Sequence, residues 1–149
     1  MRLLLATAFA MLAPFPAMAQ QWHRVSDDGN LRAYVDLDSV RTQDGMVLAT
    51  ELIVYRNGLE DTPLKWGRTT AEYDCRDRKA HFLSFEAFDA RNELIGKLED
   101  PDEGEWKISD PGSAGELALT FICNVSRSHA VRVADPLTDW EKDPRGRQK

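Results

Sequence analysis

The sequence predicts an α+β protein that has a single antiparallel β-sheet of about six strands and a C-terminal helix, packed on one face of the sheet and tethered by a disulfide. Three observations lead to this prediction. Short segments with strand periodicity occupy most of the chain, a helix-start motif follows them, and the chain contains only two cysteines.

Length and charge limit the class of protein. The 149 residues suffice for one packed domain and are few for two. The net charge is −6, from 19 basic and 25 acidic side chains, so the electrostatic footprint of a nucleic-acid-binding protein is missing. No nucleic acid is therefore expected among the partners.

Residues 1–19 are predicted to be a signal peptide. Arg2 precedes an apolar run from Leu3 to Ala13, and Ala17-Met18-Ala19 forms a small-x-small cleavage site. The run is about half of the roughly 20 residues that a membrane-spanning helix needs, so no transmembrane segment is expected. Because no cysteine lies near the cleavage site, the exported chain is not expected to be a lipoprotein. It is expected in the periplasm or outside the cell.

The mature chain as far as about residue 100 shows strand patterns. Leu31, Ala33 and Val35 alternate with polar residues, which predicts one buried face. The run 46–55 is rich in Val, Leu and Ile, and its one charged residue is Glu51, which indicates a central strand covered on both faces. Joined by turns, the segments predict an antiparallel meander. Its strands are predicted at Trp22–Ser26, Leu31–Asp36, Met46–Tyr55, Arg68–Cys75, Lys79–Phe88 and Leu94–Leu98.

The C-terminal third contains a helix signal. Ser113 and Glu116 have the spacing of a capping box, and the apolar residues after them follow one helical stripe for about 11 residues. The folded domain is predicted to span residues 20–125. Residues 126–149 are predicted to be a charged, flexible tail, because the stretch 135–149 has two prolines and four acidic against four basic side chains. Trp140 is a residue that such a tail does not need.

Cys75 and Cys123 are predicted to form a disulfide. They are the only thiols, exported chains meet an oxidising compartment, and Cys75 falls on the apolar face of its strand. Closing a loop of this length stabilises a fold by about 4 kcal/mol in the chain-entropy model. The alternative is a redox pair, which usually shows a Cys-x-x-Cys spacing that these two residues lack.

The sequence contains no motif for a cofactor, a metal or a nucleophilic enzyme. It lacks the Gly-x-Ser-x-Gly elbow, a phosphate-binding glycine loop and the His-Glu-x-x-His motif. The acidic cluster at 99–105 lacks the regular spacing of a calcium loop and is interpreted as a solvated turn. We therefore expect no cofactor and no metal site.

Three side chains are candidates for ligand contacts. Trp66 lies in the longest predicted loop, which makes it the best candidate for an exposed aromatic anchor. The alternative is a tryptophan of the core or its rim. Arg76 and Arg78 lie in a polar turn and suit an anionic partner, although a charged β-turn accounts for them equally well.

Several short motifs together resemble the surface-adhesin protein E family. They span about residues 22–124 and are Trp22, Tyr34-Val35-Asp36 with Ser39-Val40, Tyr73-Asp74-Cys75, and Trp106-x-Ile108-x-x-Pro111 followed by Ser113 and Cys123. The resemblance implies a largely antiparallel sheet with a disulfide-tethered C-terminal helix, and a surface protein that binds host matrix proteins and pairs as a dimer. The lipid-bearing cysteine of that adhesin is absent here, and the charged tail is not part of the pattern.

Three functional hypotheses follow. The first is a non-enzymatic envelope protein that binds a protein or envelope ligand through exposed loops or a sheet face. The second is a small periplasmic enzyme that uses carboxylates such as Glu72, Asp74 and Glu86, which requires two of them to converge in a pocket with raised pKa values. The third is a periplasmic assembly or stability factor that pairs through an open sheet edge, which leaves a homodimer open.

Overall fold

The computed structural model describes residues 20–99, 104–124 and 127–143. The predicted signal peptide, residues 1–19, and most of the acidic cluster lie outside the described residues. Within these ranges no helix is long and apolar enough to cross a membrane.

A seven-stranded antiparallel sheet forms the body of the protein, in the order β6-β5-β4-β3-β2-β1-β7. Consecutive strands from β1 to β6 are neighbours, which confirms the predicted meander, and β3 lies at the centre. The strands are β1 (Trp22–Asp27), β2 (Leu31–Gln43), β3 (Met46–Tyr55), β4 (Trp66–Asp74), β5 (Lys79–Phe88), β6 (Leu94–Glu99) and β7 (Val131–Val133).

The seventh strand, β7, corrects the prediction of about six strands. Its three residues pair with Trp22–Arg24 of β1. The segment Val-Arg-Val is too short for a periodicity signal, so the pairing with β1 decides its conformation. Because β7 and the short helix α2 (Asp139–Lys142) lie within the segment 126–149, the ordered structure continues past residue 125 into the predicted flexible tail.

Two strand boundaries differ from the predicted ones by more than one residue. Strand β2 continues from Asp36 to Gln43 after an irregularity in its pairing with β3. Strand β4 begins at Trp66, not at Arg68, because Trp66 pairs with Val54 of β3. Trp66 is therefore a strand residue and not a loop residue.

The predicted helix is α1 (Ala114–Ile122). Ser113 is its N-cap, and the Ser113 hydroxyl accepts a hydrogen bond of 3.2 Å from the Glu116 N–H, as expected. The reciprocal bond of the capping box is not made, because the Ser113 N–H donates to the carbonyl of Asp110. The helix ends at Ile122, earlier than predicted, and Asn124 has a left-handed φ of 65°, a conformation that stops helices.

Each face of the sheet carries its own apolar core. On the helix face, Val35, Ala49, Ala71 and Tyr73 pack with the buried residues of α1, which are Ala118, Leu119, Phe121 and Ile122. On the opposite face, here called the C-terminal face, four buried residues pack with Leu137 and Trp140 from the chain after β7; they are Trp22, Tyr34, Leu52 and Val54. The C-terminal segment therefore covers part of the sheet that α1 does not reach.

Candidate functional site

Two tethers hold α1 against the end of β4. Cys75, directly after β4, forms a disulfide with Cys123 at the C-cap of α1, as predicted. Three residues further, the Arg78 guanidinium donates to the Glu116 carboxylate at 2.7 Å and to the Thr120 hydroxyl at 2.9 Å. The position of α1 on the helix face is therefore fixed covalently and by an ion pair.

The tethered helix leaves a cavity of about 310 Å³ on the helix face. The backbone of α1 packs closest to β1 and β2, and the cavity extends from β2 across the sheet to β6. Its walls are mainly apolar. They come from five strands, from the segment before α1 and from the start of α1. The lining residues are Ala33, Glu51, Ile53, Thr69, Tyr73, Ala80, Phe82, Phe85, Leu98, Lys107, Ser109, Ala114 and Gly115. We call it the Glu51 cavity.

Glu51 is the buried carboxyl of this cavity. It lies on β3 between Val35 of β2 and Thr69 of β4, and only 7% of its surface is exposed. Among the described residues it has no hydrogen-bond or ion-pair partner. Burial raises the pKa of Glu51 to about 8, because the charged form loses its hydration. Its carboxyl group is therefore mostly neutral near pH 7.

The sequence contains one signal for this site, the charge of Glu51. Glu51 is the single charge in a strand whose composition predicts burial on both faces. A lone acid in such a strand needs either a partner or a neutral state. The sequence indicates the burial, and the fold reveals the cavity beside it.

A patch of exposed apolar residues lies along β6, the strand at one end of the sheet that the described residues form. Leu94, Ile95 and Leu98 are exposed by 53%, 43% and 55%. An isolated β-bridge joins Lys107 to Ala80 of β5. Because Tyr73 of β4 pairs with Ala80 on one side, Lys107 lies on the other side, which is the side of β5 that faces β6. The segment around residue 107 therefore extends the same edge. Ile108, the next residue, is exposed by 77%. We call these four residues, Leu94, Ile95, Leu98 and Ile108, the β6 edge patch.

The predicted contact residues do not form one site. Trp66 starts β4, stacks on Phe88 with the ring centroids 3.8 Å apart, and donates from Nε1 to Asn92 at 2.9 Å. Arg76 and Arg78 lie beyond the other end of β4, and Arg78 is engaged by α1. Trp66 and the two arginines therefore lie at opposite ends of the nine-residue strand β4. Both arginines are exposed.

The carboxylates considered for an enzyme each have different partners. Glu86 lies opposite Arg68 and pairs with it, whereas Glu72 lies opposite His81 at 3.7 Å. Asp74 accepts hydrogen bonds from the backbone N–H groups of Asp77 and Arg76, which hold the pKa of Asp74 below its ordinary value. A lowered pKa favours a permanently ionised turn residue and not a catalytic acid at neutral pH.

An ion cluster on the C-terminal face centres on Arg32, a residue that the sequence analysis did not single out. Its side chain is 1% exposed and pairs with Asp27 at 2.9 Å, Asp139 at 3.0 Å and Asp143 at 2.5 Å. Burial disfavours the charge of Arg32, but the three carboxylates outweigh this effect and raise its pKa above the ordinary value. Two of its partners come from the segment 126–149, so the cluster attaches that segment to the sheet.

Within residues 20–99, 104–124 and 127–143, no cluster of His, Cys, Asp and Glu has the arrangement of a metal site. On the C-terminal face, Arg32 pairs with carboxylates and the buried Asp36 accepts a hydrogen bond from Gln20, whereas Glu51 on the helix face has no such partner among the described residues.

Comparison with known proteins places the chain in a family. Crystal form II of Haemophilus influenzae protein E is similar in fold, with a TM-score of 0.50 at 17% identity, over 76% of this chain and 94% of that chain. A further structure of Haemophilus influenzae protein E has a TM-score of 0.49 at 17% identity and covers 76% and 91% of the two chains. No curated protein sequence matches the chain. The sequence profile described as Surface-adhesin protein E matches residues 22–124, and the chain therefore belongs to that family.

Proposed function

We propose that this protein is an exported, non-enzymatic binding module of the cell envelope, and that it binds a protein ligand along the β6 edge patch. The observation that supports this proposal most directly is the exposure of Leu94, Ile95, Leu98 and Ile108 along one edge of the sheet. Membership of a family named for a surface adhesin favours a binding role.

The edge itself supplies a mode of binding. A strand at the end of a sheet presents backbone N–H and C=O groups on its outer side, and an extended segment of a partner can pair with them. Apolar side chains beside such an edge add the burial that stabilises the complex. The β6 edge patch combines both features.

Charge limits non-specific pairing at the same edge. Lys97 lies in the middle of β6 and pairs with Glu99 at 2.7 Å and with Glu86 at 3.8 Å. A lysine on an edge strand disfavours uncontrolled association of sheets, because a second sheet would have to desolvate the charge. The edge is therefore suited to a specific partner.

The predicted signal peptide and the disulfide support export. A cleavable leader directs a chain out of the cytosol. A structural disulfide between Cys75 and Cys123 persists in an oxidising compartment such as the periplasm or the cell exterior. Both compartments agree with the proposed role.

A binding assay tests the proposal. The oxidised protein is titrated against immobilised matrix proteins and against outer-membrane extracts, and the β6 edge variants I95K and I108K are compared with V131K, which alters an exposed residue of the other edge strand, β7. We expect saturable binding at micromolar concentration that weakens at least about tenfold in I95K and I108K, because a charge replaces buried apolar contact. Unchanged binding in both variants, or no saturable partner, contradicts the proposal.

A homodimer through the same edge is the second candidate, since the same exposed side chains favour it. Light scattering over a concentration series distinguishes the two. A dimer that I95K dissociates and V131K leaves intact supports self-pairing, and a monomer at all concentrations contradicts it.

A further inference from the structure

The Glu51 cavity has the properties of a small-molecule site, and it shares one residue, Leu98, with the protein-binding edge. Its volume of about 310 Å³ lies at the lower end of the range for ligand pockets, about 300–1,000 Å³. Such pockets are mostly apolar and have a few polar groups that orient the ligand. Here Phe82, Phe85 and Leu98 supply apolar surface, and Glu51 supplies the polar group.

Two polar side chains of the cavity wall lack partners. Glu51 is more than nine-tenths buried and has no hydrogen bond or ion pair among the described residues. The hydroxyl oxygen of Tyr73, also in the wall, is buried and has no hydrogen-bond partner there either. An unpaired polar atom in an apolar interior is unfavourable, so both groups gain stability from a ligand that satisfies them.

Few charged groups surround Glu51 in the cavity. Of the residues that line the cavity, only Lys107 carries another charge, and Tyr73 is the only other titratable side chain. Lys107 is exposed, and desolvation alone accounts for the shifted pKa of Glu51, so this ammonium does not compensate the acid. From α1, Ala114 and Gly115 line the cavity without charge, while Glu116 is paired with Arg78.

We propose that the Glu51 cavity binds a small amphiphilic amine, with its apolar body between Phe82, Phe85 and Leu98 and its ammonium group paired with the Glu51 carboxylate. A bound ammonium group supplies the compensating positive charge that Glu51 does not receive from the described residues. Charge-assisted hydrogen bonds are about twice as strong as neutral ones, and aromatic faces attract cations. The acidic net charge of the protein also favours the approach of a cation.

The proton balance gives the proposal a measurable consequence. Near neutral pH, the protonated amine enters beside a neutral Glu51, the Glu51 carboxyl releases one proton to solvent, and the ion pair forms. The affinity therefore rises with pH until Glu51 is ionised in the free protein. From about pH 6 to about pH 8 the expected gain is about 50-fold for an acid of this pKa, while the amine stays charged.

Calorimetric titration of the oxidised full chain with phenethylamine tests the proposal, and 2-phenylethanol is the neutral probe of the same shape. We expect phenethylamine to bind more tightly than 2-phenylethanol, with an affinity that rises over this pH range and with proton release that differs between buffers of different ionisation enthalpy. Equal affinity of the two probes, a flat pH profile, or no binding of phenethylamine at millimolar concentration overturns the proposal.

Three variants separate the site from the fold. E51Q should lose at least about tenfold in phenethylamine affinity together with the pH dependence, whereas E72Q, which removes a strand glutamate outside the cavity, should retain both. A114F places a ring in the cavity and leaves Glu51 intact, so it should abolish binding of both probes. Circular dichroism checks that each variant is folded. Retention of the pH-dependent affinity by folded E51Q, or unchanged binding by folded A114F, overturns the assignment.

Discussion

The guanidinium carbon of Arg32 lies 3.7 Å from the centroid of the Trp140 ring, although the two residues are far apart in the sequence. Arg32 belongs to β2 and Trp140 to α2, so this contact joins the C-terminal segment to the sheet. A guanidinium stacked on an indole is a favourable cation–π pair, and it is stronger when both groups are withdrawn from water.

Loss of the Asp139 carboxylate should destabilise the whole domain. Asp139 accepts from Arg32, from Arg24 and from the Tyr34 hydroxyl, all within 3.0 Å. The variant D139A leaves a buried arginine with fewer counter-ions, and we expect a free energy of unfolding lower by about 2–3 kcal/mol in urea denaturation. The control E141A alters an exposed acid of the same helix and should change stability by less than about 0.5 kcal/mol. Equal stability of D139A and E141A would contradict the structural role of this cluster.

Removal of the disulfide should lower stability without changing the topology. Cys75 and Cys123 are separated by 48 positions, and cross-linking a loop of this size stabilises a fold by about 4 kcal/mol through the unfolded chain. We expect a double C75A/C123A variant to unfold at lower urea concentration by this amount. Added reductant should shift the wild-type transition and leave that of the double variant unchanged. Two thiols that react with an alkylating agent in unreduced protein would refute the pairing.

The buried Glu51 should make stability fall as pH rises. In the folded protein its pKa is about 8, against 4.5 for the exposed group, so between these values the folded state holds a proton that the unfolded state has released. Stability from this group is therefore fully present below about pH 4.5, decreases by about 1.4 kcal/mol per pH unit up to about pH 8, and levels off above.

The variant E51Q should remove that slope, because an amide does not titrate. Urea denaturation of wild type, E51Q and E72Q at several pH values measures it. Parallel stability profiles of wild type and E51Q would show that Glu51 ionises freely in the folded protein.

The glycine at position 67 should be necessary for the packing of Phe85. A Cβ atom at this position would lie 2.5 Å from Cε2 of Phe85, which is closer than real contacts allow. The variant G67A must displace that ring, and we expect a loss of about 1–3 kcal/mol in the free energy of unfolding.

The matched control is G96A, where the nearest atom, Cβ of Ala87, lies 3.9 Å away. It should leave stability within about 0.5 kcal/mol of the wild type in the same urea titration. A G67A protein as stable as G96A would mean that the Phe85 ring has room to move.

Local signals in the sequence predicted much of this architecture. Turn residues and period-2 patterns gave the six-strand meander, the spacing of Ser113 and Glu116 gave the start of α1, and the presence of only two cysteines gave the disulfide. The strand pattern and the helix start depend on residues close in sequence, and two cysteines allow one intramolecular pairing. These predictions therefore need no knowledge of the fold.

The sequence alone determined the strand order of the meander, the helix start and the cysteine pair. Only the tertiary structure decided that β7 completes the sheet, that Arg32 anchors α2, that Trp66 is stacked and not free, and that Glu51 borders a cavity. Each of these depends on contacts between residues far apart in the chain. Burial and electrostatic pairing arise when those residues meet, and no local pattern specifies which of them will do so.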